Sequence, residues 1–104
     1  MNKNTIQFIG HGKMWFDKIN GNTYHSVRIT DTKTKKTLFC EWQYGYDDQY
    51  KYTSLKAMLK NKWLPKKYND DNCQSYEREN NYPIKWISEK NCLKKDIINH
   101  GKEV

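Results

Sequence analysis

The sequence predicts an α+β domain, in which a small, mainly antiparallel sheet of three N-terminal strands and one C-terminal strand packs against one principal helix. Apolar residues alternate in segments of the first 44 residues, an apolar stripe at helical spacing follows, and a short apolar segment containing a proline lies near the C-terminus. A chain of 104 residues is long enough for one domain, and no internal repeat or change in composition divides residues 1–104.

The first strand is predicted over Thr5–Gly10, followed by a hydrophobic patch, Met14–Phe16, among turn residues. Asn20–Asn22 is a turn signal, because Asn and Gly adopt positive φ at little cost. The second and third strands are predicted over Tyr24–Thr30 and Thr37–Tyr44. In the third strand, regular alternation predicts that four side chains share one face: Leu38, Cys40, Trp42 and Tyr44.

The principal helix is predicted to begin after Gly45, with Asp47 or Asp48 as its N-cap, and to end near Lys62. Its apolar stripe consists of Tyr52, Leu55 and Leu59, with Met58 beside them.

The C-terminal third of the chain contains one further strand. Residues 66–81 are rich in Asn and Asp and predict a long loop with room for one short helical turn. Tyr82–Ser88 predicts a strand at an edge of the sheet because of Pro83. Ser88 is expected to cap a terminal segment in which Leu93 and Ile97 are one turn apart.

Charge and cysteine content limit the partners and the compartment. The net charge of +7 favours an anionic partner such as a nucleotide, a nucleic acid or an acidic protein. Because all basic residues except Arg28 and Arg78 are lysine, a solvated lysine surface or the codon bias of an AT-rich genome explains the charge equally well. Three cysteines without a CxxC spacing, no signal peptide and no membrane-length apolar segment predict a cytoplasmic protein with no membrane partner.

The sequence contains no recognisable catalytic, metal or cofactor motif. The three histidines and three cysteines are not at metal-ligand spacings. His25 and Ser26 are neighbours on a predicted strand and therefore point to opposite faces. Gly10–Lys13 lacks the glycine and lysine spacing of a nucleotide-binding loop. We therefore predict no catalytic residue, no metal and no cofactor, and a non-enzymatic protein.

The aromatic content instead favours a binding surface. Four Trp and eight Tyr cannot all be buried in so small a core, and exposed rings among lysines suit base stacking or anchoring of a protein partner, including a second copy of the chain. Within Tyr44–Tyr50, we expect Tyr44 to pack inward and Tyr46 and Tyr50 to share an outward edge. The predicted binding residues are Trp15, Tyr24, Arg28, Tyr44, Tyr46 and Tyr50.

Two segments, "NGNTYHSVRIT" at Asn20–Thr30 and "YGYDDQY" at Tyr44–Tyr50, the latter followed by a predicted helix, resemble small, largely uncharacterised accessory proteins of bacteriophages and prophages. The resemblance covers about residues 8–64. It implies a protein in the cytoplasm of an infected bacterium that binds a host target, either a protein complex or a signalling nucleotide, and inhibits a defence system. The alternative is a nucleic-acid-binding protein that uses lysines and stacked aromatic rings.

Overall fold

The computed structural model describes residues 6–102 and confirms the predicted α+β class. The strands and helices are, in chain order, β1 Phe8–Asp17, β2 Asn22–Asp31, β3 Thr37–Tyr44, α1 Gln49–Lys60, α2 Ser75–Glu79, β4 Ile84–Glu89 and α3 Lys94–His100. Among these helices α1 is the longest, with 12 residues, and it packs along one face of the sheet. Within residues 6–102 no helix has the length and apolar character that a membrane span requires.

The four strands form one mixed sheet in the order β3-β2-β1-β4. β2 pairs antiparallel with both β1 and β3, whereas β4 pairs parallel with β1. The prediction that the last strand lies at an edge of the sheet is therefore confirmed.

β1 is longer than the sequence predicted. The prediction that Met14–Phe16 lies among turn residues is wrong, because all three residues belong to the strand; Thr5 of the predicted first strand lies outside the described residues. Glycines at positions 10 and 12 had concealed the alternation. A Cβ at Gly10 would lie 2.4 Å from the Trp86 ring, and one at Gly12 would lie 2.6 Å from the Tyr50 ring. These glycines make room for rings from other segments, so the apolar pattern is completed by residues far away in the chain.

The hydrophobic core lies between α1 and the sheet. One cluster consists of Phe8, Ile29, Leu55, Met58, Leu64, Tyr68, Cys73, Tyr76 and Ile84. A second, towards the N-terminus of α1, consists of Met14, Val27, Cys40 and Tyr50. Both clusters take alternate residues from β1 and β2, which places the remaining alternate residues on the opposite face of the sheet.

α3 covers the middle of that opposite face. The ring of His100 contributes Nε2–H to a hydrogen bond with the carbonyl oxygen of His11, 2.7 Å away, and Arg28 Nε donates to the carbonyl oxygen of His100 at 2.8 Å. The prediction that Ser88 caps this helix is wrong, since Ser88 belongs to β4. Asp96 instead accepts a hydrogen bond from the backbone N–H of Leu93 at 3.0 Å. The face is left open towards the β1–β2 hairpin.

An aromatic surface as the candidate functional site

The open part of this sheet face carries four aromatic side chains from three adjacent strands. Trp15 is paired with Tyr24 across β1 and β2, and Tyr24 is paired with Tyr44 across β2 and β3. The ring of Tyr24 stacks on Trp15 at 5.5 Å between centroids and meets the edges of Trp42 at 5.3 Å and Tyr44 at 5.9 Å. We call Trp15, Tyr24, Trp42 and Tyr44 the aromatic surface.

A β-bulge brings Trp42 and Tyr44 to this face. His25 pairs with Gln43 and Val27 pairs with Cys40, so β3 uses one residue more than β2 over the same stretch. The alternation of β3 is therefore reversed beyond Cys40. The prediction that Trp42 and Tyr44 share a face with Cys40 is wrong for this reason.

Lys94, the first residue of α3, contacts both tryptophan rings of the aromatic surface. Its Nζ lies 5.5 Å from the Trp15 ring centroid and 5.4 Å from that of Trp42, within the range of cation–π attraction. The helix that carries Lys94 is fixed to the sheet by the fully buried Ile97. The two indoles are thus positioned before any partner binds.

Large apolar side chains are exposed around the aromatic surface. Tyr44 is 60% exposed and Trp42 is 37% exposed. Ile19 and Leu93 are exposed at the same end of the domain, and Phe16 and Tyr46 are exposed there on the α1 side of the sheet. A concentration of this kind at one end of a small domain is typical of a protein interaction site.

The β1–β2 turn that extends this end is held by Asp17. Its carboxylate accepts hydrogen bonds from the side chain of Asn20 at 2.8 Å and from the backbone N–H of Ile19 at 3.0 Å. The Asn20 side chain is the main cause of the lowered pKa of Asp17, and the charge of Lys94 adds to the effect. The turn therefore presents Ile19 to solvent on an ordered backbone.

Tyr46 lies outside the aromatic surface. Its side chain is exposed, as predicted. It lines a small cavity of about 160 Å³ together with Phe16 and Thr23. These two residues belong to the α1 side of the sheet. Tyr46 could thus take part in a separate contact, but it does not extend the aromatic surface.

Tyr50 and Arg28 are engaged within the fold. The prediction that Tyr50 faces outward is wrong, because its ring is 4% exposed, packs over Gly12 and meets the Trp86 ring at 5.7 Å. Burial accordingly raises the pKa of the Tyr50 hydroxyl. Arg28 is half-buried with its guanidinium 5.0 Å from the Phe39 ring centroid, and it fastens α3 to the sheet.

The strand-to-helix corner after Tyr44 depends on His25. The neutral ring donates Nδ1–H to the carbonyl oxygen of Gly45 at 3.1 Å, and Nε2 accepts from the Thr53 hydroxyl at 2.8 Å. Burial lowers the pKa of His25. Gly45 has a φ of +154° and lies so close that an added Cβ would be 2.7 Å from the imidazole. Asp48 occupies the N-cap position of α1, as predicted, but its side chain forms no hydrogen bond to the helix.

The remaining titratable clusters connect segments of the fold. His11 Nε2 lies 2.7 Å from a Glu89 carboxylate oxygen, which joins β1 to β4. Burial raises the pKa of the Cys40 thiol to about 11, so this group is a poor nucleophile. Within residues 6–102, no three His, Cys, Asp or Glu side chains are grouped so that they could hold a metal ion.

Sequence reasoning named three of the four rings of the aromatic surface. It missed Trp42 as a binding residue because regular alternation placed that ring on the core face, and it missed Lys94 because that residue is distant in the chain. An irregular spacing in β3 is visible only once the strands are paired. Comparison of the chain with protein-family models, curated protein sequences and solved structures gave no match.

Proposed function

We propose that the chain is a non-enzymatic phage accessory protein that docks on a host protein through its aromatic surface and inhibits a bacterial defence system. The observation that carries the proposal is the packing of four rings from three strands into one pre-positioned surface, in which Trp42 and Tyr44 are exposed and Trp15 and Tyr24 are half-buried. Trp and Tyr are the residues that most often contribute the largest share of binding free energy in protein interfaces. Rigid aromatic anchors also lose little conformational entropy on binding.

The charges around the aromatic surface favour a protein over a nucleic acid at this site. Carboxylates of Asp17 and the exposed Glu41 lie on the strands that carry the rings. A phosphate backbone would meet these acids, whereas a protein interface with a hydrophobic centre and a mixed polar rim would not be opposed by them.

The buried titratable groups support a binding role rather than catalysis. His25 and His100 are both buried, and each forms a hydrogen bond with a backbone carbonyl oxygen of its own chain. Their lowered pKa values keep both rings neutral at pH 7. We infer that His25 joins the strand-to-helix corner at Gly45 to the sheet and that His100 joins α3 to it.

The binding proposal is tested by affinity capture from lysate of a susceptible bacterium, followed by calorimetry with the purified partner. Tyr44→Ala is the test variant and Tyr82→Ala its matched control, because these tyrosines are 60% and 55% exposed and Tyr82 lies outside the aromatic surface. We expect Tyr44→Ala to weaken binding about 30-fold, the effect of a 2 kcal/mol hot spot, and Tyr82→Ala to bind as the wild type does. Equal affinities of the two variants would contradict the site.

Two further measurements separate the parts of the proposal. Sedimentation velocity of the purified chain tests whether a second copy covers the rings; a wild-type dimer that Tyr44→Ala converts to a monomer would replace the host partner with a homodimer. Phage plating on cells with and without a defence system tests inhibition. Wild type and Tyr82→Ala should restore plating on defended cells, and Tyr44→Ala should not.

A further inference from the structure

A long groove runs beside the edge strand β3, on the side of the sheet that α1 covers. Its first part, of about 1070 Å³, lies between β3 and α1. A second part, of about 580 Å³, lies between the β2–β3 turn and the end of α1. Phe39 and Asn61 line both parts, so the two adjoin each other. We call the whole the basic groove.

The lining of the basic groove carries a net positive charge. Its lining includes four lysines, Lys35, Lys36, Lys56 and Lys60, and one acid, Asp70. The chain as a whole has 19 basic and 12 acidic residues, so the ratio in the groove is far more basic than the average. Within residues 6–102 none of these four lysines forms an ion pair, whereas Lys13, Lys51 and Lys67 each do. Their charges are free to meet an anionic ligand.

Aromatic rings accompany the lysines along the groove. Tyr52 and Trp63 line its two parts; both are half-buried and pack against the core, and the Nζ of Lys56 lies 5.2 Å from the Tyr52 ring centroid. The Trp63 ring stacks on Phe8 at 5.9 Å between centroids, so only its other face can take a base. Cations that track a phosphate backbone, alternating with rings on which bases stack, are the elements from which single-strand-binding grooves are built. An acidic peptide would use the lysines but would have no need of the rings.

We propose that the basic groove binds single-stranded nucleic acid without strong sequence preference. A single strand is favoured over a duplex because rings can stack only on bases that are not already stacked on each other. Sequence reading usually depends on arginine, and neither Arg28 nor Arg78 lines the groove. The site goes beyond the proposed function, which depends on the aromatic surface. Tyr44 lines the groove as well as that surface, so the two proposals are separated by Lys56 and Lys60, which belong to the groove alone.

The test is fluorescence anisotropy with labelled oligothymidylate and oligouridylate of about 12 nucleotides, a length within the range of known single-strand sites. Four lysine–phosphate contacts predict that log K falls with log[salt] with a slope of about −3. The test variant is Lys56→Gln with Lys60→Gln. The matched control is Lys85→Gln with Lys102→Gln, which removes the same charge from exposed lysines outside the groove.

We expect the groove variant to bind on the order of tenfold more weakly at 0.1 M salt and its slope to be smaller in magnitude by about 1.4, while the control retains the wild-type slope. Equal losses in both variants would overturn the proposal, because attraction would then depend on net charge alone. A duplex of the same length that binds as tightly as the single strand would also overturn it. Polyglutamate that binds as tightly, with the same loss in the groove variant, would reassign the groove to acidic polypeptides. Absence of binding at 50 mM salt would remove the site altogether.

Discussion

The buried imidazole of His100 makes stability depend on pH from about 6.5 down to about 4, a window that begins above the range in which carboxylates titrate. His100 is 5% exposed and its pKa is lowered from 6.5 to about 4, mainly by burial, with the nearby charges of His11, Arg28 and Lys13 acting in the same direction. Because the folded pKa is below the unfolded one, the unfolded state binds a proton at higher pH. The stabilising effect of the neutral ring is complete above pH 6.5 and is lost progressively as the pH falls towards 4.

The size of the effect follows from the two pKa values. A difference of about 2.5 units corresponds to about 3.4 kcal/mol once the pH is below both values, and to about 2 kcal/mol between pH 7 and pH 5. The pKa of His25 is also lowered by burial, so its loss of stability has the same sign and adds to that of His100.

The assay is urea unfolding followed by tryptophan fluorescence at pH 7, 6 and 5, with His100→Gln as the comparison, since the glutamine amide can still donate to the His11 carbonyl oxygen. We expect wild type to lose at least about 2 kcal/mol between pH 7 and pH 5, and His100→Gln to lose less by about that amount. If a folded His100→Gln protein shows the same pH dependence as wild type, the assignment of the pH effect to His100 is wrong.

Two alanine substitutions on adjacent strands should change stability in opposite directions. Gly12→Ala places a Cβ 2.6 Å from the buried Tyr50 ring, so we expect a loss of about 1–3 kcal/mol, measured as a lower urea midpoint; an unchanged midpoint would show that the ring moves freely. Ser26→Ala removes a fully buried hydroxyl that has no hydrogen-bond partner within residues 6–102, so we expect unchanged or higher stability by about 1 kcal/mol, and a clear loss would indicate that the hydroxyl is hydrogen-bonded in solution.

Local sequence patterns predicted the strands and helices whose own apolar side chains pack into the core. The alternation of Val27 and Ile29 predicted β2, and the stripe that includes Leu55 predicted α1, because both sets of side chains pack directly into the core. β1 was predicted too short because the rings that cover Gly10 and Gly12 come from other elements. A pattern that is completed by distant residues cannot be recognised from the strand alone.

The candidate site was harder to predict for the same reason. Whether a tyrosine is a contact or a core residue depends on its surroundings in three dimensions: Tyr50 is buried because Gly12 leaves space for it, and Tyr44 is exposed because of the bulge. Lys94 joins the aromatic surface only when α3 packs on the sheet. Sequence named Trp15, Tyr24 and Tyr44 of the aromatic surface, but it left out Trp42 and wrongly added the buried Tyr50.

The extra residue of β3 produces the aromatic surface and also shapes the basic groove. With regular alternation beyond Cys40, Trp42 and Tyr44 would point towards α1 and Gln43 away from it. The bulge reverses this, so Gln43 lines the groove while the two rings join Tyr24, with Tyr44 also at the border of the groove. Leaving large rings in water forgoes part of the roughly 1.5–3 kcal/mol that burying each one would contribute to a small core. A partner that covers them recovers that free energy as affinity, which is why the bulge favours a binding role over a purely structural one.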